Sequence, residues 1–165
     1  AVAGVVGDRL VVAGGSVVGY GIGALTSPTS VEAYTSTGWT PLPPLPYATD
    51  GATACVLNGQ LYVLGGVGCS KVQVLEMSEE NELTWTVKAE LPAWRARAAS
   101  AEFEGRLWLM GGCFEEDATA SIFKYDPASD SWAAGPALPR ASEYFSTSRA
   151  VVHNGQLYLF LSKQS

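Results

Sequence analysis

The chain has 165 residues, 47% hydrophobic and 16% charged, a balance that suits a globular domain with a sizeable core and argues against disorder. Ten Lys plus Arg against sixteen Asp plus Glu leave a net charge of -6, so nothing in the overall charge favours nucleic acid or an anionic membrane as a partner. No apolar run approaches the ~20 residues of a spanning helix, and the opening AVAGVVGDRL lacks the basic flank and sustained apolar core of a secretory signal.

In chain order, the first element is GDRLVVAGG at 7–15, an apolar strand that ends in Gly14 and Gly15. The phrase returns as NGQLYVLGG at 58–66 with Gly65 and Gly66, as EGRLWLMGG at 104–112 with Gly111 and Gly112, and as NGQLYLFLS at 154–162 without the glycines. A second phrase is interleaved with it. WTPLPPLP at 39–46, WTVKAELP at 85–92 and WAAGPALP at 132–139 all read Trp, five residues, Leu, Pro, with Trp39, Trp85 and Trp132 spaced 46 and 47 apart. Two phrases in one order and at one period mark a repeat architecture.

One unit reads as four strands. ATACVLNG is small and apolar, and QLYVLGG is the uninterrupted run of a strand covered on both faces, joined to the first by the tight-hairpin signal Asn-Gly. KVQVLEM and TWTVKAEL follow, the latter alternating Trp85, Val87 and Ala89 against Thr86, Lys88 and Glu90, as a half-exposed rim strand does. The glycine pairs allow positive φ and close backbone approach. One tryptophan per unit, burying about 150–250 Å², implies a regular stacking of units.

These features resemble the kelch repeat, whose units have an apolar strand ending in Gly-Gly, then a Tyr-Asp-Pro turn, then a Trp. IFKYDPASDSW at 122–132 matches that middle portion closely; VEAYTSTGW at 31–39 and VQVLEMSEENELTW at 72–85 match it with a shortened and a lengthened turn. The resemblance covers essentially the whole chain and implies an all-β fold: a partial kelch β-propeller of four-stranded antiparallel blades. The expected units are approximately 1–46, 47–92, 93–139 and an incomplete 140–165. Three and a half units are too few for the 4–8 blades of a closed propeller. The chain is therefore expected to be a piece of a longer propeller, or else to self-associate, two copies completing a ring of about seven blades.

In such blades the connections from second to third strand and from one blade to the next emerge at the same end. Loops 16–29, 67–70 and 113–120, with 43–51, 91–98 and 138–149, are thus expected to form one face, and loop 16–29 is the longest. Arg95 lies three residues past Pro92, where kelch-like repeats often carry an arginine; Arg97 follows it, Arg140 succeeds Pro139, and Thr49 takes the place of Arg95 in the second unit. Two readings of these arginines stand. They form a rim that accepts carboxylates or phosphates of a protein partner, aided by Trp94, Tyr47, Tyr144 and Tyr20, or they brace loops between blades.

The remaining motifs carry little chemistry. GYGIGA at 19–24 satisfies the dinucleotide pattern, but LTSPTS follows instead of the helix that pattern requires. The lone His153 lies beside a hairpin at the far end from the face. FEEDA at 114–118 and SEENE at 78–82 lack regular oxygen-ligand spacing and read as solvated charge. Three cysteines, Cys55, Cys69 and Cys113, without Cys-x-x-Cys spacing, read as structural thiols in a reducing, cytoplasmic setting. No catalytic residue, cofactor or metal is expected. The resemblance implies a protein–protein interaction module, a scaffold or substrate-recruiting adaptor; the alternative is a fragment of a carbohydrate-active enzyme such as an oxidase or epimerase, and the copper-oxidase type needs two histidines.

Overall fold

The glycine phrase folds each time as the second strand of a tight hairpin. In the computed structural model, which describes residues 1–15, 17–18, 25–26, 29–115, 117–141 and 149–161, the first sheet begins with β1 (Val2–Val6) and β2 (Arg9–Ala13). A ribbon of β3 (Val17–Val18) and β4 (Leu25–Thr26) follows, then β5 (Val31–Thr35) and β6 (Gly38–Leu42). The second sheet is β7 (Thr53–Leu57), β8 (Gln60–Leu64), β9 (Val72–Met77) and β10 (Leu83–Lys88). The third is β11 (Ala99–Phe103) and β12 (Arg106–Met110), the ribbon β13 (Cys113–Phe114) and β14 (Asp117–Ala118), then β15 (Ile122–Asp126) and β16 (Ser131–Ala134). The hairpin β17 (Arg149–His153) and β18 (Gln156–Phe160) forms the fourth. Every pairing is antiparallel, and each sheet is a meander in chain order.

Turn chemistry sets the register. Asn58–Gly59, Glu104–Gly105 and Asn154–Gly155 all take positive φ at both positions, the type I′ geometry whose twist matches the flanking strands. In the first hairpin Gly7 alone is left-handed, consistent with the type that places glycine first.

Each sheet is apolar on both faces, so the core lies between sheets. Leu61 and Val63 of β8 pack on Val6, Val11, Val31 and Ala33 of the first sheet, whereas Tyr62 and Leu64 pack towards Leu107, Leu109 and Tyr125 of the third. Met110 and Ile122 meet Ala150, Leu157 and Leu159 of the fourth. This two-sided burial is why the second strands read as continuous apolar runs. No helix among the described residues is long and apolar enough to cross a membrane.

The two repeated phrases have distinct mechanical roles. The leucine of each Leu-Pro phrase leaves the outer strand and ties the linker down: Leu45 N–H donates to Thr29 O, Leu91 to Ser70 O and Leu138 to Ala120 O, at 2.8–2.9 Å. The tryptophan reaches back one unit. Trp85 Nε1 donates to Pro43 O and Trp132 Nε1 to Ala89 O, both at 2.9 Å. Asp130 of the Tyr-Asp-Pro turn closes the second clasp by accepting from Ala89 N–H at 2.9 Å and Tyr125 hydroxyl at 2.7 Å, which hold its carboxyl below the usual range. Trp39 departs from the expected stacking. It is 54% exposed, because no described residue packs on that side of the first sheet.

The outermost strand also stops earlier than the alternation suggests, at Lys88, since Leu91 is drawn into the core at 4% exposure.

Candidate functional site

The face is assembled where linkers cross the glycine pairs. Gly66 has φ +131°, and a Cβ there would stand 2.0 Å from Thr49 Oγ1 and 2.8 Å from Asp50 O; one on Gly65 would stand 2.6 Å from Arg95 O. Only glycine lets the incoming and outgoing linkers pass so near the end of the second strand. Main-chain bonds then lace them together: Gly66 N–H to Arg95 O, Val67 N–H to Asp50 O, and Arg97 N–H to Gly51 O.

Tyr47 is held on the first linker by a residue absent from the expected site. Gln73, fully buried in β9, accepts from Tyr47 N–H at 2.8 Å and donates to Tyr47 O at 3.1 Å. Tyr47 itself is 44% exposed, with Lys71 Nζ over its ring. A lone glutamine inside the apolar run KVQVLEM was the signal for this brace.

Arg95, read from the sequence either as a rim arginine or as a brace between loops, lies in the interior. It is 6% exposed, donating to Trp94 O at 3.1 Å and Ser121 Oγ at 2.6 Å, with its guanidinium over the rings of Phe114 and Phe123. Thr49, its counterpart one unit earlier, is buried as well and donates to Gly65 O. Trp94, half-buried, meets the Phe114 ring at a tilt with ring centres 5.2 Å apart, and Ala96 bridges Cys113, so segment 94–96 and the β13–β14 ribbon form one braced unit.

Arg97 stands differently. Its φ is +56°, and it lines a cavity of about 400 Å³ with Arg149, Thr49, Asp50 and Thr53. The cavity opens along the starts of β1, β7 and β17 and the end of β2, with Arg97 and Ala98 just ahead of β11. Arg149 was missed by the sequence reading, since it opens β17 where the equivalent first residues of β7 and β11 are Thr53 and Ala99, so the repeat marked no arginine there.

A Kelch motif matches residues 95–139. Mouse Kelch-like protein 35 is 32% identical over 121 residues, covering 69% of this chain and 20% of that protein. Human Kelch repeat and BTB domain-containing protein 13 is 32% identical over 100 residues, covering 59% of this chain and 22% of that protein. The solved structure of YjhT superposes with a TM-score of 0.76 at 18% identity, over 95% of this chain and 57% of that chain. The chain belongs to the kelch-repeat β-propeller family. It spans about a fifth of the length of the curated relatives it matches.

The remaining expected positions fall as follows in this kelch fold. Arg140 is exposed on the third linker. Tyr20, Tyr144 and the GYGIGA stretch lie outside the described residues. His153 is exposed beside the last hairpin turn, opposite the face. Cys55, Cys69 and Cys113 are free thiols, and burial pushes Cys55 up to about 11. Among the described residues, no group of three His, Cys, Asp or Glu is placed to hold a metal ion.

Proposed function

We propose that this chain is the partner-binding section of a kelch propeller and takes a carboxylate- or phosphate-bearing segment of a protein partner at the inner end of the face. The observation that carries the reading is the pairing of Arg97 and Arg149 around one cavity, in a chain whose net charge is otherwise negative. Guanidinium groups match planar or tetrahedral oxyanions through directed N–H donors. Tyr47 and Trp94, held by Gln73 and Phe114, offer aromatic surface on the same two linkers. Exposed Arg140 adds a third cation on the outer linker. A reducing compartment such as the cytoplasm goes with this reading, because it keeps the three thiols free.

Fluorescence anisotropy with labelled Glu-rich and phosphoserine peptides, against Gln and Ser analogues, tests it. The acidic peptides should bind and the neutral ones should not, with affinity falling as salt rises. Arg97→Ser and Arg149→Ser should each weaken binding about tenfold or more, the loss of charge-assisted hydrogen bonds. Equal binding of acidic and neutral peptides, or no change in the variants, would sink the proposal.

A further inference from the structure

Gly51 and Arg97 hold the same step of successive units, two residues past Thr49 and Arg95, and both are left-handed, with φ of +67° and +56°. That conformation is ordinary for glycine and uncommon for a residue with a side chain. The third unit accepts the strain and places an arginine at this step, whereas the second leaves the step without a side chain. A Cβ on Gly51 would meet Ala96 Cβ at 3.4 Å, Val67 Cγ2 at 3.7 Å and Arg97 Cγ at 3.8 Å, all ordinary van der Waals contacts. The glycine therefore leaves a methyl-sized notch walled by three side chains. Its walls are held in place, since Val67 N–H donates to Asp50 O at 2.8 Å and Arg97 N–H to Gly51 O at 2.7 Å.

The two units differ again at the residue after Gly-Gly. In the third, Cys113 belongs to the β13–β14 ribbon, pairs with Ala96 and is 4% exposed. In the second, loop 67–70 carries no such ribbon, and Val67 is 55% exposed beside the notch. Gly51 and Arg97 also line the cavity that Arg149 shares, whereas Val67 and Ala96 do not, so the notch adjoins the cavity across Gly51.

We infer that the notch is a specificity subsite, taking one apolar side chain of the acidic partner segment over Gly51, between Val67 and the stem of Arg97, while the acid meets the Arg97 guanidinium. The inference rests on the acidic-segment reading and adds the residue that must accompany the acid. Arg97 walls the notch with its stem and carries its charge at the far end of the same side chain, so the two ligand groups must lie on one side of the bound segment. In an extended chain, side chains on one side recur at every second residue, roughly 7 Å apart. The apolar residue is therefore two positions from the acid.

Fluorescence anisotropy with four labelled peptides of one frame tests this, Glu or Gln at the acidic position combined with Val or Ser two positions away, the set being made in both chain directions. In one direction the Glu–Val peptide should bind at least about fourfold tighter than Glu–Ser, the worth of one buried methyl-sized group. Val67→Ser, at an exposed position where circular dichroism should be unchanged, should bring that Val-over-Ser ratio to about one while the Glu-over-Gln ratio persists. Gly51→Ala, which fills the notch, should also remove the Val preference. A Val-over-Ser ratio of one in both directions, with Glu still preferred over Gln, overturns the notch and leaves the acidic reading standing. A Val preference that survives Val67→Ser places the apolar contact elsewhere and overturns it too. Equal binding of Glu and Gln peptides, with a Val preference that Val67→Ser removes, supports the notch and sinks the acidic reading; no binding of any peptide overturns both.

Discussion

Thr49 and Arg95 occupy the same step of successive units, and both are interior, yet they meet different demands. Thr49 needs one bond, to the Gly65 carbonyl, because the loop it faces, residues 67–70, is short. Arg95 faces a longer connection and holds it with two hydrogen bonds and two ring contacts. Arg95→Met should keep the volume but remove the guanidinium bonds to Ser121 Oγ and Trp94 O, costing about 1–3 kcal/mol in urea unfolding. Arg95→Lys should recover little, since a single ammonium cannot reproduce the planar fork over both rings. A loss below about 0.5 kcal/mol for Arg95→Met would show that the guanidinium braces nothing. Its burial was not legible in the sequence: arginine is ordinarily exposed, and the enclosing rings of Phe114 and Phe123 come from separate later elements.

At the scale of the element, the interleaved phrases divide labour between closing a unit and joining it to the previous one. Trp132→Phe retains most of the ring but removes the Nε1 donor to Ala89 O, and should destabilise by about 1 kcal/mol. Trp39→Phe should change stability by less than about 0.5 kcal/mol, because nothing described covers that ring. Equal losses in urea titrations would mean that the tryptophans act through their own strands and not across junctions. Such elements were legible because their determinants are local: Asn-Gly fixes a hairpin, alternation marks a rim strand, and Gly-Gly marks a crossing. The ends of elements were less so. Nothing local distinguishes Lys88 from Ala89 as the last strand residue, because the strand ends where Leu91 is pulled down to Ser70. The β13–β14 ribbon was read only as a loop with solvated charge; its pairing to Ala96 depends on the linker folding over it.

For the whole molecule, a row of sheets that touch only their neighbours should distribute stability by position. The second sheet is buried from both sides, as the fully enclosed Leu61, Val63 and Leu64 of β8 show. The first and third each have one large junction, with the second, and among the described apolar residues the fourth rests on the third through Ala150, Leu157 and Leu159. Local opening is cheapest where few apolar contacts must be broken. Hydrogen exchange by mass spectrometry should therefore find β8, β9 and β12 slowest and β17–β18 fastest. Binding of an acidic peptide at the Arg97–Arg149 cavity should slow β17 selectively, since Arg149 opens that strand while the other lining residues belong to sheets already held in place. Uniform exchange across the four sheets would mean that they unfold as one cooperative block, and the stacking energy would then have to be spread evenly in spite of the uneven burial. A graded profile would instead tie the partner cavity to the least protected sheet, giving the fourth hairpin a direct means of being stabilised by what the face binds.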